Sequence, residues 1–185
     1  MIKDILSNAD EHMKKTEDAL AHEFAGVRTG RASGAILDKI TVEYYGTQTP
    51  ISQIAAIKSP EPQLLVVEPW DKTALGAVEK AIRSSDLGLN PSNDGTVIRI
   101  PFPALTEERR KELVKLCKQY AEEGRVAVRN IRRDAIERLK KSEKAGEISE
   151  DDLHRAEVDV QKLTDSRIKD IDEALKRKED EIMEV

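Results

Sequence analysis

The strongest constraint on the fold is the apolar stripe that follows Thr106, in which nonpolar residues recur every three or four positions. Thr106 is a favourable N-cap, and Glu107 and Glu108 lie where a helix dipole favours negative charge. The pattern predicts one long amphipathic helix. Gly146 suits its C-terminal end, and Ser149, followed by three acidic residues, starts another helix. The stripe consists of Leu113, Leu116, Cys117, Tyr120, Ala127, Val128, Ile131, Ala135 and Leu139.

Two further segments carry the same spacing, residues 2–27 and the segment after Ser149. In the second of these, a five-residue step between Leu163 and Ile168 is expected to shift the stripe without ending the helix. At about 1.5 Å per residue, such helices form rods of about 40 to 60 Å. An amphipathic helix cannot bury its stripe alone, so we expect the first helix to pack on the two later ones as a three-helix bundle.

Residues 32–104 have a different character, because β-branched residues, glycine and proline become frequent and charges become sparse. A turn is predicted at Gly46, and Asp71 is expected to cap a helix that ends near Ser84. This order of strands around one helix is typical of a small α/β sandwich. The strands are predicted within residues 36–50, on both sides of the turn, and at residues 55–59, 63–69 and 96–103.

The sequence therefore predicts an α+β fold, in which the β/α/β module is an insertion into an antiparallel three-helix bundle. The bundle takes residues 1–29 and 106–185, and the inserted domain takes residues 30–105. Glycine and proline at the two chain crossings suit a hinge of restricted direction, although static linkers explain them equally well. The hinge residues are predicted to be Thr29, Gly30, Arg31, Pro101, Pro103, Ala104 and Leu105.

Composition limits what the chain can bind. The net charge is -5 and 36% of the residues are charged, which argues against a protein that coats nucleic acid indiscriminately. Any nucleic-acid contact must therefore be local. Cys117 is the single cysteine, so an intrachain disulfide is excluded, and we expect a reducing, cytoplasmic environment. The longest aliphatic run, residues 64–67, is too short to span a membrane, and no membrane association is expected.

Four arginines lie within nine residues of the second long helix, and three of them fall within about 60° of arc on one face. One interpretation is a solvated face that pairs with the nearby acids Glu122, Glu123 or Glu137. The use of arginine, and the repulsion between like charges four residues apart, favour a phosphate-rich partner such as structured RNA. A second basic pair, Arg28 and Arg31, could equally compensate a helix dipole. The four clustered arginines are Arg125, Arg129, Arg132 and Arg133.

Catalytic motifs are missing from the sequence, which has neither the phosphate-binding GxxxxGK(S/T) loop nor the zinc-binding HExxH motif of metalloproteases. We therefore expect no enzymatic activity, no cofactor and no metal site. Cys117 falls on the apolar stripe and is expected to be a small core residue. Trp70 is expected to be a packing anchor at the start of the short helix. The histidines are expected on helix surfaces, without a partner at a catalytic spacing, and are His12, His22 and His154.

Five separated motifs together closely resemble bacterial ribosome recycling factor, and the resemblance covers essentially the whole chain. The motifs are EFAGVRTGRAS, VEYYGTQTPISQIA, LGLNPSNDGTVIRIPFPALTEERR, VRNIRRDA and ISEDDLHRAEVDVQKLTDSRIKDIDE, and they occur in the expected order. The resemblance implies an L-shaped molecule with an rRNA-binding bundle and a hinged second domain. It also implies that Arg129 and Arg132 contact rRNA of the large subunit, with Arg28, Arg31, Arg110 and Arg133 in support.

The same resemblance implies a function in translation. A factor of this family binds the post-termination ribosome in the intersubunit space and splits it into subunits together with elongation factor G, which hydrolyses GTP. We expect a monomer with the ribosome and elongation factor G as partners. The alternative is a helical protein-interaction module or a chaperone-like scaffold, whose arginines meet acidic protein surfaces and which has no specificity for ribosomes.

Overall fold

The computed structural model describes residues 1–184 and, within them, four α-helices and six β-strands. This confirms the α+β class. The helices are α1 (Ile2–Ala25), α2 (Leu75–Arg83), α3 (Glu107–Lys144) and α4 (Glu150–Met183). The strands are β1 (Thr41–Tyr44), β2 (Thr47–Pro50), β3 (Ala55–Glu61), β4 (Leu64–Pro69), β5 (Ser92–Asn93) and β6 (Ile98–Pro101).

The first compact unit, called the helical unit below, comprises Met1–Phe24 and Lys115–Glu179. It is a bundle in which α1, α3 and α4 bury their apolar stripes against one another. At its centre, Gly124 of α3 faces Leu20 and Ile171, and a Cβ added there would lie 3.6 Å from each side chain. The buried set at one end of the bundle is Ile5, Ala9, Ala135, Leu139, Leu153, Ala156 and Val160.

The ends of the long helices are set by local hydrogen bonds. The Thr106 hydroxyl accepts the Arg109 backbone N–H at 3.1 Å, as expected of an N-cap. Gly146 adopts a φ of 73°, which glycine tolerates at the end of α3, and its N–H donates to the Glu143 carbonyl. The Ser149 hydroxyl then accepts the Asp152 N–H at 3.0 Å and starts α4. The predicted start of α3, its glycine end and the serine cap of α4 are confirmed.

α4 continues through residues 163–168 without a break, as predicted, but its inward stripe runs through polar residues instead of shifting. Thr164 is fully buried, and its hydroxyl donates to the Val160 carbonyl at 2.8 Å, so its polarity is satisfied within the helix. Arg167 occupies the next inward position, between Thr164 and the buried Ile171. The inward residues therefore recur at steps of four, three and four. A pattern read from apolar residues alone misses both polar members.

The second compact unit, called the sheet unit below, comprises Ala25–Val114 and residues 180–184. Its main sheet is antiparallel, with the strand order β3-β4-β6-β5, and β1 and β2 form a separate hairpin. The register places Leu65 opposite Ile100 and Val67 opposite Ile98, so these buried side chains share one face of the sheet. Val78 and Ile82 of α2 belong to the same core cluster. A helix thus covers the inner face of the sheet.

Local signals in the sheet unit were predicted with two errors. Asp71 caps the short helix by accepting the Thr73 N–H at 2.9 Å, as expected, and one 3-10 turn precedes α2. Residues Gly34–Leu37 form a 3-10 turn in place of the first part of the predicted strand, because Ser33 caps that turn by accepting the Ala35 N–H. The two-residue strand β5 lies in a segment predicted to be only a turn.

The boundaries of the compact units fall inside α3 and α4, both of which continue without interruption from one unit into the other. The predicted division at residues 29 and 106 remains a prediction.

None of the helices in the described residues is both long and apolar enough to cross a membrane.

Cys117 is completely buried in the helical unit, and burial raises the pKa of its thiol to about 11. Because the thiolate is the reactive form, we expect the folded chain to resist modification at neutral pH. The measurement is titration with a chromogenic thiol reagent. One equivalent should react promptly in denaturant and almost none in native buffer. Prompt reaction of the folded chain would contradict the burial of this side chain.

Candidate nucleic-acid interface

The arginine cluster of α3 is divided by its neighbours into paired and unpaired members. Arg125 is only 20% exposed, and its guanidinium contacts Asp172 of α4 at 2.7 Å and Glu122 at 3.1 Å. Burial opposes its charge, but the hydrogen bonds that it donates to both carboxylates outweigh that effect and raise its pKa. Arg125 therefore joins α3 to α4 and is engaged within the helical unit.

Arg129 lies one turn further along α3 and is 39% exposed. Its guanidinium contacts the second carboxylate oxygen of Glu122 at 3.3 Å. Hydrogen bonds from Arg125 and Arg129 hold the pKa of Glu122 below its usual range, so this carboxylate stays ionised between them. Arg129 thus shares an anion with Arg125, and its exposed part can contact a further one.

Arg132 has a neutral neighbour in place of an acid. Its guanidinium donates to the side-chain oxygen of Gln161 in α4 at 3.3 Å. Gln161 is held in that orientation because its amide group donates to Asp165 at 2.8 Å. Within residues 1–184, no carboxylate pairs with Arg132 or with the adjacent, exposed Arg133. Neither guanidinium is therefore neutralised by a carboxylate of the described residues.

Arg28 lies in the sheet unit, where it joins the two predicted chain crossings. Its guanidinium lies 5.4 Å from the centre of the Phe102 ring and donates to the Pro103 carbonyl. Burial, and to a lesser degree the neighbouring Arg109, lowers the pKa of Arg28. Its Nε is buried and has no acceptor within the described residues. These contacts give Arg28 a structural role in addition to its predicted contact with rRNA.

Arg31 and Arg110 line a second feature of the sheet unit, a cavity of about 410 Å³. Arg31 is exposed and lies 3.6 Å from the Glu184 carboxylate, whereas the Arg110 Nε is buried without an acceptor among residues 1–184. Gly30, Ala104 and Leu105 line the same cavity. The predicted rRNA contacts of this unit therefore form two groups, one around Arg28 and one at the cavity.

The predicted hinge residues differ in how firmly they are held. Pro101 is the last residue of β6 and pairs with Leu64, so it belongs to the sheet. The Thr29 hydroxyl accepts the Arg31 N–H at 3.3 Å, and a Cβ added at Gly30 would meet no atom within 4 Å. Pro103 accepts a hydrogen bond from the Arg28 side chain.

Trp70 is 68% exposed, so the expectation that it anchors packing is wrong. Tyr45 is 84% exposed and follows Tyr44, whose ring meets it edge to face at 4.5 Å between centroids. The sequence did not single out Tyr45, although an aromatic residue directly before a glycine in a turn could have indicated an exposed ring.

As expected, all three histidines are exposed, and they are His12, His22 and His154. Within residues 1–184, no group of three or more His, Cys, Asp or Glu side chains could hold a metal ion.

Comparison with known proteins identifies relatives along the whole chain. The family model described as ribosome recycling factor matches residues 20–183. The ribosome-recycling factor of Carboxydothermus hydrogenoformans is 59% identical over 185 residues and covers 100% of both chains. That of Bacillus pumilus is 57% identical with the same coverage.

Solved structures agree with this relationship. A solution structure of the ribosome recycling factor has a TM-score of 0.81 and 47% identity, covering 100% of this chain and 98% of the other. A second structure comprises models for the T. thermophilus ribosome recycling factor and the E. coli elongation factor G bound to the E. coli post-termination complex. Its matching chain has a TM-score of 0.71 and 52% identity and covers 100% of both chains. The chain therefore belongs to the ribosome recycling factor family.

Proposed function

We propose that the chain recycles ribosomes after termination: it binds the post-termination complex in the intersubunit space and splits it into subunits together with elongation factor G and GTP. Elongation factor G hydrolyses the GTP, and the chain itself acts without catalysis. It works in the cytoplasm as a monomer. Family membership supports the general role, and a relative is described together with elongation factor G on a post-termination complex.

The observation that carries the rRNA contact is the environment of Arg132. Its guanidinium and that of Arg133 are not neutralised by a carboxylate within the described residues, while Arg125 beside them is fixed by Asp172. Phosphates of structured RNA suit such guanidiniums, because arginine binds an oxyanion through two parallel hydrogen bonds. The net charge of -5 meanwhile weakens contacts with RNA elsewhere. Large-subunit rRNA is therefore the proposed ligand of this face.

The contacts of Arg28 support the proposed hinge. They tie the first crossing to Phe102 and Pro103 of the second. Each crossing is also tied to the turn between β3 and β4, since the Ala32 N–H donates to Pro62 at 2.6 Å and the Phe102 N–H donates to Gln63 at 2.7 Å. The proposed hinge comprises residues 29–31 and 101–105, and these contacts limit the directions in which the two crossings can bend. A hinge restricted in this way suits a domain that must receive a directed push from elongation factor G.

Subunit splitting tests the proposed function. Purified post-termination ribosomes are mixed with elongation factor G, GTP and the chain, and light scattering follows the loss of intact ribosomes. Splitting that requires every component supports the proposal. Failure of the parent chain to split ribosomes, in the presence of a cognate elongation factor G, would favour the helical interaction module instead.

Replacing Arg132 by alanine should weaken ribosome binding and make its dependence on salt concentration less steep by about one unit, because one phosphate contact is lost. The measurement is the dissociation constant at several salt concentrations. Arg138→Ala is the matched control, since Arg138 is exposed on α3 but lies about 120° around the helix from Arg132. An unchanged slope for Arg132→Ala would show that this side chain neutralises no phosphate.

A further inference from the structure

Two tyrosines of the sheet unit contact Asp71, and Trp70 directly precedes it in the chain; we call Tyr44, Tyr45 and Trp70 the aromatic patch. The chain has two phenylalanines, three tyrosines and one tryptophan, so half of its aromatic residues lie in this patch. Tyr45 and Trp70 are among the most exposed large hydrophobic residues of the described chain. Exposed tyrosine and tryptophan are the residues that most often dominate the binding energy of protein interfaces.

The patch is held in place before any partner arrives. The Asp71 carboxylate accepts the Tyr44 hydroxyl at 3.0 Å and the Tyr45 hydroxyl at 3.4 Å. The same carboxylate caps the following turn by accepting the Thr73 N–H and hydroxyl. The backbone N–H of Trp70 donates to the Ile54 carbonyl and so fixes the backbone from which the indole projects. The two tyrosine rings, ordered by these contacts, lose little conformational freedom when they are covered.

Tyr45 also occupies a position that does not suit a tyrosine. It has a φ of 49° and forms, with Gly46, the two-residue loop between β1 and β2. Asparagine, aspartate or glycine is preferred in such a loop, because side chains with a bulky Cβ substituent are strained at positive φ. The exposed ring contributes little to the core. A residue at positive φ that carries a largely exposed ring points to a role in binding.

The charges around the patch indicate the kind of partner. Within two residues of the aromatic side chains the sequence has three carboxylates and one ammonium group. Glu68 lies two residues before Trp70 on an extended strand, so both side chains are on the same face. Carboxylates repel the phosphates of RNA, whereas arginine pairs with them and stacks on aromatic faces. The four charged residues are Glu43, Glu68, Asp71 and Lys72.

We propose that the aromatic patch is a docking surface for an arginine-bearing surface of elongation factor G. This inference rests on the proposed function, because it names the surface of the chain through which that partner acts. The arginine side chains stack on Tyr45 and Trp70 and pair with the acids beside them. The patch thus serves contact with a protein, while the arginines of α3 serve contact with RNA.

Photo-cross-linking tests the surface directly, whether or not splitting occurs. Tyr45 is replaced by p-benzoylphenylalanine, and the chain is irradiated with post-termination ribosomes, elongation factor G and a nonhydrolysable GTP analogue. The control carries the same probe at Val158, an exposed apolar residue of the helical unit. Mass spectrometry should find a cross-link to an arginine-containing segment of elongation factor G. Cross-links to rRNA or to a ribosomal protein, or a yield no higher than that of the control, would overturn the assignment.

Substitutions add a functional measurement. We expect Trp70→Ala to slow splitting about tenfold or more at unchanged ribosome affinity, whereas Trp70→Phe keeps most of the rate. Tyr45→Asn should slow splitting similarly without a lower melting temperature, since asparagine tolerates positive φ. This variant separates binding from folding. If Trp70→Ala and Tyr45→Asn split ribosomes as fast as the parent, the proposed docking surface is refuted although the recycling function stands. If the parent chain splits no ribosomes, the recycling function is refuted. In that case the cross-linking result alone decides whether the aromatic patch binds elongation factor G.

Discussion

Replacing Phe102 by alanine is expected to lower the free energy of unfolding of the sheet unit by about 3 to 5 kcal/mol. The ring is 1% exposed and belongs to the main core cluster, and its face carries the Arg28 guanidinium. Alanine leaves a cavity and also removes the stacking partner of Arg28. Because small domains have a total stability of about 5 to 15 kcal/mol, much of the sheet unit would unfold at moderate denaturant concentration. Denaturant titration followed by far-ultraviolet circular dichroism measures the change.

Phe102→Leu is the control that separates packing from stacking. Leucine keeps most of the buried apolar volume, so we expect a cost of about 1.5 kcal/mol or less, while the aromatic face is lost. A loss below about 1 kcal/mol for Phe102→Ala would mean that the surrounding core closes over the vacated space. The two crossings would then depend less on this residue than its contacts indicate.

Replacing Arg167 by alanine should destabilise the helical unit by about 2 to 3 kcal/mol at neutral pH. Arg167 is 18% exposed, and its guanidinium contacts Asp10 at 2.6 Å and Glu17 at 3.2 Å, so it joins α4 to α1. Its removal leaves Glu17 partly buried without a counter-charge. Lys162→Ala, an exposed substitution on the same helix, is the control. Denaturant titration of both variants measures the difference.

The effect of Arg167→Ala should depend on pH with a definite sign. Burial is the largest influence on Glu17 and raises its pKa above the ordinary value of 4.5, while Arg167 opposes that rise. A raised pKa in the folded state means that ionised Glu17 costs stability, and this cost develops as the pH rises through the folded-state pKa. Without Arg167 the cost is larger. The deficit should therefore be greatest at neutral pH and shrink as the pH falls toward 4; a deficit that grows in acid would contradict this account.

Much of the fold could be predicted because its signals are local. The cap at Thr106, the positive φ of Gly146 and the cap at Ser149 each depend on residues within one helical turn. The stripe of α4 was predicted only in part, because Thr164 and Arg167 are polar and their burial depends on hydrogen bonds that composition does not reveal. Periodicity shows which face is inward only where that face is apolar.

The candidate site was less accessible to sequence reasoning. The spacing on α3 shows that Arg125, Arg129 and Arg132 share a face, but their partners depend on how α4 aligns with α3. Arg125 contacts the carboxylate of Asp172, whereas Arg132 contacts the neutral side chain of Gln161. These contacts distinguish a structural arginine from one without a carboxylate partner among the described residues, and each joins residues that are far apart in the sequence. Trp70 was misjudged because a lone tryptophan in a chain with few aromatics is expected to be buried.

The exposure of Trp70 has a practical consequence for anyone who studies this chain by its intrinsic emission. As the sole tryptophan, it is already largely hydrated in the folded state. Unfolding will change its surroundings little, so tryptophan fluorescence is a poor measure of the stability of either unit. The same property makes the indole a built-in optical probe of its own surface, whose emission shifts to shorter wavelength only when something else covers it.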